Sequence, residues 1–135
     1  MRDFPVYERQ FSEEELPTVV SELREWAPSV TRWLLVGPLG AGKTRLVQTW
    51  LGEEVSSPTF TYIHVYTQAV HVDLYRFPSE LPSRWEEVYS LLESAPLVFI
   101  EWADKLPFPP AGPAVWVTLT PLSENVRRLR AVFTP

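Results

Sequence analysis

Cysteine is absent from this 135-residue chain, which excludes a disulfide framework and any thiolate metal site. No uninterrupted apolar run approaches the roughly 18 residues that a membrane span requires. The opening MRDFPVYERQ lacks the basic-then-apolar pattern of a signal peptide. A soluble, cytoplasmic protein with no membrane partner is therefore expected. Positive charge is scarce too: 12 Lys and Arg stand against 17 Asp and Glu, a net charge of −5. That argues against a domain that grips nucleic acid unaided, because neutralising phosphates takes a basic face. Arg127, Arg128 and Arg130 form the only tight basic cluster.

Apolar residues, by contrast, make up 45% of the chain and aromatics 13%, with six Trp. This is enough for a packed core in one domain spanning residues 1–135 and leaves little room for disorder. Of the fourteen Pro, several cluster in LPFPPAGP, residues 106–113. They read as a rigid connection that lowers unfolded-state entropy. No internal repeat or low-complexity block is present.

Along the chain, Val6 to Gln10 reads as a short strand. SEEE, from Ser12 to Glu15, has the form of a capping box. The apolar positions Val19, Val20, Leu23, Trp26 and Ala27 then fall on one helical face, with Pro17 suited to the first turn. WLLV (33–36) and LVFI (97–100) read as buried strands, and Lys43 to Leu51 as a helix ended near Gly52. Residues 59–75 are β-branched and aromatic, with a weak turn signal at 67–69, which suggests a hairpin. Residues 79–94 carry helix formers in two pieces broken by Pro82, and 114–119 with 126–133 form a last strand pair. The expected fold class is α/β: a single P-loop NTPase-like domain with a central mixed β-sheet flanked by helices.

GPLGAGKT, residues 37–44, satisfies G-x-x-x-x-G-K-[ST] at every fixed position, with a strand before it and a helix after. Glycines let successive backbone N–H groups turn inward around a phosphate. The helix that starts there adds its positive end. Lys43 supplies a point charge for β- and γ-phosphates, and the Thr44 hydroxyl a hard oxygen for Mg²⁺. Gly37, Leu39, Gly40, Ala41, Gly42, Lys43, Thr44 and Arg45 are thus the candidate nucleotide-binding residues. The loop does not disclose the reaction, since it serves ATPases, GTPases and small-molecule kinases alike.

A P-loop enzyme needs a further acid at a neighbouring strand tip to hold the metal. LVFIEW places Glu101 directly after four apolar residues, so Thr44 and Glu101 are the candidate Mg²⁺ ligands. In HVDLYRF, alternation puts His71, Asp73 and Tyr75 on one strand face. Asp73 either orients an attacking water or belongs to a structural ion pair. SSPTF (56–60) either is a turn or presents Thr59 to the metal and the γ-phosphate, with Pro58 stiffening the loop.

Taken together, GPLGAGKT, SPTF, HVDLYR and IEW resemble the TsaE family, formerly YjeE. These are bacterial P-loop ATPases of tRNA threonylcarbamoyladenosine synthesis. The resemblance covers most of the chain. It implies binding and hydrolysis of ATP with Mg²⁺. It also implies two protein partners, TsaB and TsaD, which transfer the threonylcarbamoyl group to adenosine 37 of ANN-decoding tRNAs, so that tRNA is met only through the partner complex. Carried over by motif, Thr59, Asp73 and Glu101 are the candidate catalytic residues, and Trp102 packs near the site. Base-side contacts map to Arg9, Glu13 and Arg127. Pro38 departs from the family's usual Asp, and the segment after DLYR differs from the family's LG-rich one. A small-molecule P-loop kinase is an alternative, weakened because residues 79–94 hold only Arg84 for a lid. A non-enzymatic nucleotide-gated interaction protein is another. Its GTP version is disfavoured because no N-K-x-D sequence is present.

Overall fold

The computed structural model describes residues 5–52 and 62–135; SSPTF, and with it Thr59, lies outside the described residues. Seven strands, β1 (Val6–Ser12), β2 (Arg32–Val36), β3 (Ile63–Val65), β4 (Val70–Asp73), β5 (Val98–Glu101), β6 (Ala114–Pro121) and β7 (Val126–Thr134), form one sheet. Their order is β1-β7-β6-β2-β5-β4-β3. The centre is parallel, with β2 between β6 and β5 and β4 beyond β5. Antiparallel pairs flank it, β1–β7–β6 on one side and the β3–β4 hairpin on the other. The expected mixed α/β architecture is therefore the one found.

Among the described residues three α-helices cover the sheet: α1 (Leu16–Trp26), α2 (Lys43–Leu51) and α3 (Pro82–Ser94). Alternation along the buried strands divides the core in two. Trp33, Leu35, Phe99 and Val117 face one side, packed with Val19 and Leu23 of α1 and Leu46 and Val47 of α2. Leu34, Val98, Ile100 and Val72 face the other, packed with Val88 and Leu92 of α3. Because the central strands bury both faces, they read as continuous apolar runs.

Local chemistry sets the element ends. A 3-10 turn at Glu13–Glu15 leads into α1, with the Ser12 N–H donating to Glu15 Oε1 over 2.9 Å, and Pro17 lies in the first turn of α1. Gly52 ends α2 in the left-handed region, its N–H bonded to the Gln48 carbonyl at 2.9 Å. The β3–β4 turn is closed by Tyr66 N–H to the Ala69 carbonyl, 2.9 Å. Residues 79–94 depart from expectation. Pro82 does not break a helix but begins one, as the first residue of α3. A proline there loses no helical hydrogen bond, because the first-turn N–H has no intrahelical acceptor. Among the described residues no helix is long and apolar enough to cross a membrane.

Candidate nucleotide site

Parallel pairing brings three strand ends to one edge. β2 feeds the glycine-rich loop and α2, while Glu101 ends β5 and Asp73 ends β4. Glu101 is in register with Leu35 on one side and Asp73 on the other. The carboxyl ends of parallel strands are where α/β sheets open a ligand crevice. Here the crevice holds about 290 Å³, lined by loop residues from Leu39 to Arg45 and by Asp73, Tyr75, Glu101 and Trp102.

Gly42 initiates α2 with φ +101°, a left-handed conformation that strains any residue with a Cβ. Lys43 is buried, and its ammonium donates to the carbonyls of Gly37 (2.5 Å) and Pro38 (3.0 Å). It also sits 4.2 Å from the centre of the Trp102 ring. Burial lowers its pKa from the ordinary lysine value, opposed by the charges of Glu101, Asp73 and Asp104. The loop thus holds a positive charge against its own carbonyls, poised for an anion that would replace them.

Glu101 is buried. One of its oxygens, Oε2, accepts from Thr44 Oγ1 at 2.7 Å and from His71 Nε2 at 2.5 Å. His71 is only 2% exposed, and its other ring nitrogen, Nδ1, has no hydrogen-bond partner among the described residues. Asp73 Oδ1 accepts the Tyr75 N–H at 3.0 Å. Burial pushes the Asp73 carboxyl above the usual range; the Tyr75 bond counters this and the charge of Glu101 adds to it. Trp102 has φ +58°, alone among described non-glycine residues in being positive, and it lies 5.0 Å from the Tyr75 ring. Backbone strain of this kind persists where surrounding contacts hold it.

A second cleft of about 140 Å³ opens on the other side of the loop, walled by Phe11, Leu16, Leu119, Glu13, Arg45 and Arg127. Of the three residues mapped to base contacts, Glu13 and Arg127 line it. Arg9 does not: it lies on β1, with its guanidinium bonded to Glu22 and Glu15, each at 2.8 Å. Two close-lying carboxylates outcompete an open cleft for that cation. The apolar walls Phe11 and Leu119, and the bond from His71 to Glu101, escaped the reading of the motifs. For that bond the one visible signal was the position of His71 on the same strand face as Asp73.

A family model described as "Threonylcarbamoyl adenosine biosynthesis protein TsaE" matches residues 11–129. The chain belongs to the TsaE family. A "tRNA threonylcarbamoyladenosine biosynthesis protein TsaE" from Synechocystis sp. is 39% identical over 99 residues, which cover 64% of this chain and 62% of that protein. The alignment therefore spans less than two thirds of the relative's length. The crystal structure of YdiB from Bacillus subtilis shares the fold, with a TM-score of 0.70 at 19% identity over 98% of this chain and 88% of that one.

The donors of this TsaE-family site suit the groups its loop implies. No group of three or more His, Cys, Asp or Glu side chains forms a metal cage among the described residues. Mg²⁺ does not need one, because it binds through one or two protein oxygens together with substrate phosphates and water. The Thr44 hydroxyl and the Glu101 carboxylate, in contact with each other, are two such hard oxygens.

Proposed function

We propose that this chain is a Mg²⁺-dependent ATPase, one P-loop domain working in the cytoplasm with TsaB and TsaD in threonylcarbamoyl modification of tRNA. The observation that carries the reading is the convergence of Thr44 Oγ1 on Glu101 Oε2 at 2.7 Å beside the buried ammonium of Lys43. In this reading Lys43 exchanges the carbonyls of Gly37 and Pro38 for β- and γ-phosphate oxygens. The backbone N–H groups from Leu39 to Arg45 surround the phosphates. Thr44 and Glu101 would hold Mg²⁺, which would supply charge neutralisation to the phosphates. His71 fixes the rotamer of Glu101 through its bond to Oε2.

Asp73, a better proton acceptor than an ordinary carboxylate because burial raises its pKa, takes the proton of the attacking water. The water oxygen bonds to the γ-phosphorus, the bond to the bridging oxygen breaks, and ADP and phosphate leave. Thr59 senses the γ-phosphate. The apolar cleft beside Phe11 and Leu119 takes the base, between Glu13 and Arg127. The acidic net charge agrees with tRNA being held by the partners.

The test is phosphate release from Mg·ATP by the purified chain, alone and with the TsaB–TsaD pair, together with threonylcarbamoyladenosine formation on tRNA. Hydrolysis that rises with the pair, and modification that stops without this chain, are expected. Full modification in its absence, or transfer of the phosphoryl group to a metabolite in place of water, would overturn the reading.

A further inference from the structure

The proline-rich segment lines neither of the two clefts beside the phosphate loop, yet it builds one wall of a third, wider cleft. The groove, about 930 Å³, runs between α3 and the 107–113 connection. It lies on the α3 face of the sheet, opposite the face that carries α2 and its phosphate loop. Its apolar surface is an aromatic row. Trp85 lies 6.5 Å from Tyr89, and Tyr89 stacks on Phe108 at 4.5 Å with planes 17° apart. Phe108 is 60% exposed. The connection is clamped: the Tyr89 hydroxyl donates to the Phe108 carbonyl at 2.6 Å and accepts the Phe108 N–H at 3.3 Å. A stiff wall held in this way costs little further entropy on binding.

The groove's polarity is one-sided. Its prolines have no N–H to offer. The Trp85 indole N–H is bonded to the Ser79 carbonyl at 2.9 Å. Arg32, the single cation among the described lining residues, donates through Nε to the Leu92 carbonyl at 2.7 Å and through Nη1 to Thr31. Against it stand Glu80, Glu86 and Glu93, none of them in an ion pair among the described residues. The surface thus offers acceptors, negative charge and flat apolar rings, and few free donors.

We propose that this groove docks an extended, basic segment of a partner protein. Lys or Arg groups of the segment would meet Glu80, Glu86 and Glu93, and its apolar residues would lie on Trp85, Tyr89 and Phe108. Aromatic-lined grooves take extended chains in this manner. Nucleic acid and anionic lipid are repelled by the same carboxylates. A second copy of this chain brings a net charge of −5 to an already acidic surface.

The probes are short fluorescein-labelled peptides in which Arg or Lys alternates with Leu and Pro, and a mirror set with Glu at each basic position. Anisotropy should show binding by the basic set alone, weakening with salt. The double variant Glu86→Lys/Glu93→Lys should lose roughly tenfold or more in affinity, since two attractions become repulsions. Phe108→Ser, at an exposed position, should weaken binding as well. Mg·ADP affinity, measured on the same samples, should stay unchanged in both variants, which separates this groove from the phosphate loop. Four results would each overturn the proposal: no binding by any basic peptide, equal binding by both sets, binding indifferent to the variants, or a dimer in sedimentation that the double variant dissociates.

Discussion

Glu101 is buried and holds both Thr44 and His71 on one oxygen. Glu101→Ala should therefore lower Mg²⁺-dependent hydrolysis by about 10²–10³-fold, the usual cost of losing one transition-state electrostatic group. The far-UV circular dichroism spectrum should stay that of the folded chain. Hydrolysis near the wild-type rate would remove Glu101 from the metal and catalytic roles. The candidate status of Glu101 was legible because four apolar residues deliver it to a strand tip. Its bond to His71 was not, since thirty positions separate the two and only the pairing of β4 with β5 joins them. Arg9, which the family resemblance mapped to the base side, is paired with the carboxylates of Glu15 and Glu22.

Two elements carry tests of their own. Gly42 and Gly52 bound α2 at either end, both in the left-handed region and both with open space where a Cβ would stand. Replacing either with Ala should cost about 1–2 kcal/mol of stability through backbone strain alone, read by urea denaturation. Only Gly42→Ala should also weaken nucleotide binding, because only that end faces the phosphates.

The contact between β1 and α1 gives a pH test. The Tyr7 hydroxyl donates to Glu22 at 2.5 Å. Burial, then that hydrogen bond, raises its pKa from 10.0 to about 12. The folded state favours the neutral phenol, so this stabilisation is complete below pH 10 and disappears as pH rises through 12. Tyr7→Phe should be less stable than wild type at neutral pH, and the gap should close across that alkaline interval in denaturation curves. The helix over 43–51 was legible to the residue because its stop signal is local. Pro82 was misread because a proline breaks a helix interior but opens a helix start, and which applies depends on where the preceding loop ends.

For the molecule as a whole, nucleotide binding and folding are linked, because the phosphate loop exists only when β2, β5 and β6 are assembled around it. Mg·ADP at a hundred times its dissociation constant should stabilise the chain by about 2.7 kcal/mol, roughly 10 °C in melting temperature. Lys43→Ala should abolish most of that shift in a thermal melt while leaving the ligand-free melt folded and cooperative. An undiminished shift would sink the assignment of the loop.

Local chemistry settled much in advance. The apolar runs, the capping box, the glycine-rich loop and the absence of cysteine are short-range properties of the chain. They sufficed for the fold class, for most element boundaries and for Lys43, Thr44, Asp73 and Glu101 as candidates. Long-range pairing settled the rest. The strand order β1-β7-β6-β2-β5-β4-β3 and the register of Asp73 against Glu101 are fixed by hydrogen bonds between segments far apart in the chain. No local pattern encodes those bonds. That register joins His71 to Glu101, a bond between residues thirty positions apart.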